Sequence, residues 1–156
     1  MSHMETPPSR KKPIASSQTF AIGEIKKEKQ TQEVEVTPKL FKQLEKLAKQ
    51  GNAQAQYNLG LCYVMGKGVA QSYEKAFEWF QKSANQGLFL AQYNLGICYD
   101  RGQGIAQNDE KAFEWFEKAT KKGFAPAQRA LGKCYHEGKG VALCYEKAFE
   151  WLGKSR

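Results

Sequence analysis

One six-residue motif occurs three times along this chain, at a spacing of 36 residues. Residues 75–80 read Lys-Ala-Phe-Glu-Trp-Phe, and the motif recurs at 111–116 and, with a final leucine, at 147–152. Residues 51–86 and 87–122 are identical at 21 of 36 aligned positions. A fixed period of roughly 20 to 50 residues is typical of stacked supersecondary units rather than of one globular core. The repeat therefore predicts a scaffold that presents a surface, not a pocket that performs a reaction.

Each full repeat is predicted to form two helices. The first, helix A, spans about 52–65 in the first repeat, and the second, helix B, spans about 73–86. Glycine just past a helix can adopt the left-handed cap conformation, and serine or asparagine just before a helix can cap its N-terminus. Residues of these types stand at the expected places: Gly66, Gly87, Ser72 and Asn108.

A half-repeat precedes the first full repeat. Thr37-Pro38 predicts a helix start, because threonine suits the N-cap and proline suits the first helical position. The helix that follows, to Gln50, is in register with helix B of the later repeats, since Lys39, Phe41, Lys46, Ala48 and Gln50 match Lys75, Phe77, Lys82, Ala84 and Gln86. Terminal units of solenoids are often altered in this way. The predicted total is seven helices.

The repeated motif resembles the Sel-1-like repeat (SLR), a relative of the tetratricopeptide repeat. The motif reads Ala-x-x-x-Leu-Gly-x-x-Tyr-x-x-Gly-x-Gly-Val over 55–69, then Lys-Ala-Phe-Glu-Trp over 75–79, and it returns in register through residues 51–155. The resemblance implies an all-α fold, a right-handed α-α superhelix (solenoid) of three 36-residue helix pairs plus an N-terminal half-repeat helix. It also implies an adaptor for protein complexes.

Two regions are predicted. Residues 1–36 lack periodicity and are polar, so we interpret them as a disordered tail that begins with a cloning scar, Met1-Ser2-His3-Met4. Residues 37–156 form the repeat domain. No apolar run reaches the ~18 residues of a membrane helix, which argues against a membrane span.

Charge and motifs argue against two functional classes. The net charge of +8 arises from basic residues mixed with acidic ones, so no clustered nucleic-acid footprint is indicated. His136, the one histidine beyond the scar, lies two residues from Cys134, where helical side chains do not face each other. No metal-ligand spacing, phosphate-binding loop or catalytic set is present in the sequence. We therefore predict no enzymatic activity, no metal and no cofactor.

The cysteines are predicted to be unpaired. Cys62, Cys98 and Cys134 are equivalent in successive repeats, and packed helices ~8–10 Å apart place equivalent residues too far apart for a disulfide. Unpaired buried thiols favour a reducing, cytoplasmic location. Cys144 instead occupies the N-cap position of the last helix, where a thiol tends to be more reactive. It is a candidate reactive thiol, but an accidental substitution in the last repeat is the favoured explanation.

The face of helix A that varies between repeats is the candidate partner-binding surface. Its apolar and tyrosine residues are unusual for a surface that contacts only solvent. Tyrosine and asparagine also suit contacts with a peptide. By analogy with tetratricopeptide repeats, we expect this face to line a concave groove for a protein or peptide. The alternatives are packing against the adjacent A helix or plain surface. The candidate residues are Tyr57, Asn58, Leu61, Met65, Leu90, Tyr93, Asn94, Ile97, Arg101, Arg129 and Lys133.

The C-terminal helix suggests a second role. The sequence supplies no further helix to cover it, so part of Phe149 or Trp151 is expected to be exposed. This edge predicts either a cut from a longer repeat array or contact with another molecule, including a second copy. The alternative function is therefore a structural module that stacks through its C-terminal helix into an array or homo-oligomer.

Overall fold

A computed structural model describes residues 35–156, and every regular element in that range is helical. The seven α-helices predicted from the sequence are confirmed. The half-repeat forms α1, and three A–B pairs follow as α2–α3, α4–α5 and α6–α7. The bounds are α1 Pro38–Lys49, α2 Ala53–Met65, α3 Tyr73–Asn85, α4 Phe89–Arg101, α5 Asp109–Ala119, a 3₁₀ helix Thr120–Lys122, α6 Ala125–Glu137 and α7 Tyr145–Lys154.

The helix ends follow the local sequence. Thr37, Ser72 and Asn108 each accept a hydrogen bond from a backbone N–H three residues later, at 3.1, 3.2 and 3.0 Å, as predicted. Asn52 caps α2 in the same way, at 2.8 Å. Each A helix ends at a glycine in the left-handed region, with φ of 68° at Gly66 and 69° at its two equivalents. These caps set the helix boundaries within each repeat.

Within each repeat, a glycine of helix A lets a large side chain of helix B approach closely. A Cβ atom added at Gly60 would lie 2.6 Å from the ring of Phe80, and one added at Gly96 would lie 2.6 Å from the ring of Phe116. Both rings are almost completely buried. The absence of a side chain at this column therefore sets the distance between the paired helices.

Between repeats, helix B of one unit packs against helix A of the next. Edge-to-face ring pairs recur at the three junctions, Phe41–Tyr63, Phe77–Tyr99 and Phe113–Tyr135, with centroid distances of 6.1, 5.5 and 5.5 Å. A glutamine of helix A also donates to a carbonyl of the preceding helix B, from Gln56 to Ala48 at 3.1 Å and from Gln92 to Ala84 at 3.4 Å. The α1 helix thus forms the same type of junction as the other B helices.

The four cysteines are all free, and three of them are buried. Burial raises the pKa of Cys62 and Cys134 to about 11 and that of Cys98 to about 12. The predicted absence of disulfides between repeats is therefore confirmed. These thiols behave as small apolar core residues.

The two ends of the domain differ. Residues 1–34, which include the predicted scar and most of the predicted tail, lie outside the described residues. Val36, assigned to the tail from the sequence, is half-buried and packs against the core. At the other end, Phe149 is 80 % exposed, which confirms the expected exposure. No helix within 35–156 is both long enough and apolar enough to cross a membrane.

Candidate protein-binding surface

The predicted partner-binding face divides into a buried part and an accessible part. Five of the candidates are buried in the continuous core: Tyr57, Leu61, Tyr93, Asn94 and Ile97. The expectation that these five side chains line an open groove is wrong. The alternative interpretation, packing against neighbouring helices, describes them instead.

Tyr57 of α2 is completely buried and contacts side chains of α3 and α4. Its ring lies 5.8 Å from that of Phe80 on α3, and its hydroxyl accepts a 3.2 Å hydrogen bond from Nδ2 of Asn94 on α4. Asn94 also donates to the Leu90 carbonyl, at 3.1 Å. Burial raises the pKa of Tyr57 well above its usual value, and the bond from Asn94 partly offsets this effect. The tyrosine and asparagine therefore join the first two A helices.

Tyr93, in the equivalent position of the second repeat, keeps the equivalent ring contact and has one more. Its ring lies 5.6 Å from that of Phe116 and 5.4 Å from that of Phe124, the residue that precedes α6. Phe124 also contacts Phe89 edge to face at 5.2 Å. These aromatic contacts cover the side that the sequence suggested was open.

Six candidates keep solvent access, and we call them the A-helix strip. Met65, Arg101, Arg129 and Lys133 are exposed, whereas Asn58 and Leu90 are half-buried. The two strip positions of each A helix are seven, eleven and four residues apart, which is close to a whole number of helical turns and places them on one side. Two further exposed residues, Gln54 and Glu137, continue the same side and were not among the candidates predicted from the sequence. The strip consists of Asn58, Met65, Leu90, Arg101, Arg129 and Lys133.

The strip changes character along the array. The first repeat contributes the apolar Met65, whereas the third contributes Arg129 and Lys133 in the columns that hold Tyr57 and Leu61 in the first. The physical reason is local, because α6 is the last A helix in the described range and no later A helix covers these columns. The apolar end and the basic end therefore lie on different repeats.

The remaining polar side chains form structural contacts. Lys139 donates to Asp100 at 3.0 Å and links the second and third repeats, and this hydrogen bond is the main cause of the raised pKa of Lys139. His136 lies 5.3 Å from the Tyr145 ring, measured between centroids. Among residues 35–156, no group of three or more His, Cys, Asp or Glu side chains is placed to hold a metal ion.

The candidate thiol lies at the start of α7. Cys144 is half-buried, and its side chain makes no capping hydrogen bond, unlike Ser72 and Asn108 in the equivalent positions. Its backbone N–H donates to the Tyr135 carbonyl at 2.9 Å. The thiol is therefore more accessible than the three core cysteines, and its reactivity stays a prediction.

Comparison with known families and structures identifies the repeat. The Sel1 repeat model matches residues 53–88, 90–124 and 125–155. A Sel1 repeat protein from Oxalobacter formigenes is 34 % identical, with a TM-score of 0.70, over 73 % of this chain and 87 % of that one. The protective antigen c5321 of uropathogenic Escherichia coli, which displays an SLR fold, is 31 % identical, with a TM-score of 0.71. That match covers 87 % of this chain but 33 % of the antigen.

A more distant structure shares the fold alone. The cysteine-rich protein B of Helicobacter pylori is 22 % identical, with a TM-score of 0.58, over 74 % of this chain and 88 % of that one. No curated protein sequence matched this chain. The similar structures therefore support the repeat architecture.

Proposed function

Because the chain belongs to the Sel1 repeat family, whose members are generally protein-interaction scaffolds, we propose that it binds a protein partner along the A-helix strip. The partner contacts the accessible edge of the three A helices rather than the buried tyrosines. The scaffold role is general to the family, and the assignment to the strip is the specific proposal.

The observation that carries this proposal is the accessible strip itself. Met65 is exposed, and Leu90 packs against the core with one side and stays half-buried, so both offer apolar surface to a partner. Methionine adapts its shape to a partner surface, and apolar side chains on a solvent-facing edge favour association. The strip therefore offers an apolar contact on the first two repeats.

Basic residues make one end of the strip chemically different from the other. Arg101, Arg129 and Lys133 are exposed on the second and third repeats, where Glu137 is the exposed acid on the same side. A partner segment with apolar side chains at one end and carboxylates at the other fits this order. Charges at the edge of an interface mainly raise the association rate and fix the orientation of the partner.

The test is affinity capture with the full chain, followed by measurement of binding to the captured protein. Met65→Ser with Leu90→Ser removes the apolar contact, and Arg129→Glu with Lys133→Glu reverses the basic end. We expect each pair to weaken binding at least tenfold, with the charge reversal acting more strongly at low salt. Circular dichroism confirms that the helices remain.

A matched control has the same change of charge elsewhere. Lys42→Glu with Lys46→Glu reverses two exposed lysines on α1, which carries no residue of the A-helix strip. This variant is expected to retain the partner. Equal losses in the control and in the strip variants would indicate a response to net charge alone, and unchanged binding in both strip variants would refute the assignment.

A further inference from the structure

The last helix of the array exposes a residue that its relatives bury. Phe149 is equivalent to Phe41, Phe77 and Phe113 in the three preceding B helices. Phe41 and Phe77 are 8 % and 7 % exposed and Phe113 is half-buried, whereas Phe149 is 80 % exposed. The helix α7 therefore exposes the face that the earlier B helices pack against the next A helix.

The internal junctions define the chemistry of the missing contact. At each one, a helix of type A places a tyrosine edge-on against the phenylalanine, as Tyr99 does against Phe77 at 5.5 Å. Seven residues earlier on the same helix, Gln92 donates to the carbonyl of Ala84. A helix with this tyrosine is therefore the complement of the exposed Phe149, while the column of Ala84 holds Arg156 just beyond α7.

The chain carries one such helix at an accessible end of the array. In α2, Gln56 and Tyr63 have this spacing, and the junction that they form is filled by α1 through Ala48 and Phe41. The other A helices, α4 and α6, are engaged by B helices in the middle of the stack. Among the three A helices, only α2 has its preceding B helix, α1, at an end of the described array.

The helix α1 is a weaker occupant of this junction than an internal B helix. It is packed from one side, since Phe41 and Ala48 are its buried residues. Leu40 and Leu47 are 42 % and 46 % exposed at columns that hold the buried Ala76 and Ser83 in α3. Gln43 replaces the tryptophan of the other B helices. A helix held from one side opens more readily than one held from two.

We infer that α7 of one copy docks on α2 of a second copy, in the place of α1. Phe149 then packs edge-on against Tyr63 as Phe41 does, and the repeats continue from one molecule into the next. This inference goes beyond the proposed function, because it uses the two ends of the array rather than the A-helix strip. Since the surfaces that meet are different, each copy keeps one free end and the contact propagates head to tail.

The α1 helix sets the concentration at which this contact forms. It is tethered to α2 by a short loop, so its effective concentration is high and it outcompetes a dilute α7. Association therefore requires a high protein concentration or a weakened α1. Substitutions that weaken the packing of α1 on α2 are expected to promote association, and substitutions of the exposed face of α7 are expected to prevent it.

The first experiment measures the molar mass of the full chain by light scattering over a concentration series. We expect the wild-type mass to rise with concentration and the Phe149→Lys variant to remain monomeric. Leu47→Lys is the matched control, because it also places a lysine at an exposed apolar position on an end helix. It is expected to associate like the wild type, whereas its loss of association would indicate that α7 packs on the outer face of α1 and would overturn the inference.

The second experiment weakens α1. Thr37→Ala removes its N-cap without changing α2, and a cap is worth about 1 kcal/mol, so the apparent dissociation constant should fall about fivefold. Phe41→Ala should lower it further. If both variants associate no more strongly than the wild type, docking on α2 is refuted. If neither the wild type nor these two variants associate at any concentration, the inference is refuted in full.

A double variant of this chain distinguishes the head-to-tail contact from other modes of association. The double variant Phe41→Ala with Phe149→Lys can accept an α7 helix but cannot donate one. It should be monomeric alone and should shorten Phe41→Ala oligomers when added in excess. Association of the double variant alone would reveal unspecific adhesion of an opened α2. Failure to shorten the oligomers would indicate symmetric pairing of two α7 helices, and either result overturns the inference.

Discussion

Nδ2 of Asn94 donates a hydrogen bond of 3.2 Å to the Tyr57 hydroxyl, and both side chains are completely buried. The bond joins two residues that are 37 positions apart and lie on the A helices of successive repeats. It couples the first repeat to the second through side chains rather than through helix backbones. Its loss would remove a hydrogen bond from a polar group in the core.

Asn94→Ala is expected to lower the free energy of unfolding by about 1–3 kcal/mol, because the buried Tyr57 hydroxyl loses this donor. Tyr57→Phe should cost about 1 kcal/mol, and the double variant should cost less than the sum. Urea unfolding monitored by circular dichroism measures all three. Asn58→Ala is the control, because Asn58 is half-buried in the equivalent position, and it should change stability by less than Asn94→Ala does.

The same pair shows where sequence reasoning succeeded and where it failed. The repeat period and the capping residues predicted the helices correctly, because these signals are local. The side of helix A that varies between repeats was interpreted as open surface, because variation suggested freedom from packing. In the structure, Tyr57 and Tyr93 are both buried, and each contacts the equivalent phenylalanine of its own helix B.

A helical-wheel projection of helix A alone could not reveal that this side is buried. The A helix is enclosed by its own B helix, by the preceding B helix and by side chains of the next A helix, so its buried arc is wider than one pairing implies. The available signal was the repetition of Tyr57 and Tyr93 in register with Phe80 and Phe116. Two aromatic columns with the same period favour contact with each other over exposure to solvent.

Two glycine substitutions should have opposite effects. In Gly96→Ala, the new Cβ atom would lie 2.6 Å from the buried Phe116 ring, and the forced repacking should cost about 1–3 kcal/mol. At Gly153, an added Cβ atom would meet no atom within 4 Å apart from the neighbouring backbone of its own helix, and Gly153→Ala should stabilise the helix by about 0.5–1 kcal/mol. Thermal unfolding compares the two. A destabilised Gly153→Ala variant or an unaffected Gly96→Ala variant would contradict this account of the paired helices.

The buried thiols should make the fold sensitive to high pH. Burial raises the pKa of Cys98 to about 12, so the folded state holds this proton more tightly than the unfolded state. The resulting stability is complete below the unfolded pKa of about 9 and is lost as the pH rises toward 12. Between pH 9 and 10 the loss from this one group is about 1 kcal/mol.

Cys98→Ala tests this assignment. The variant should be less stable than the wild type at neutral pH, because the sulfur leaves a small cavity. It should also lose less stability than the wild type between pH 9 and 10. Urea unfolding at neutral pH, pH 9 and pH 10 separates the cost of the cavity from the effect of the thiol proton, since the cavity cost is the same at each pH. Equal alkaline losses in both proteins would show that the Cys98 proton does not contribute.

Cys144 should react with alkylating reagents before the other cysteines. It is half-buried at the start of α7, whereas burial raises the pKa of Cys62 and Cys134 to about 11. At pH 8 the thiolate fraction of those two is on the order of one in a thousand, and the folded core also blocks the reagent. Timed iodoacetamide labelling followed by peptide mapping measures each rate. All four cysteines should react at similar rates in urea, and a native rate for Cys144 no higher than that for Cys62 would show that the end of the array protects its thiol as well as the core does.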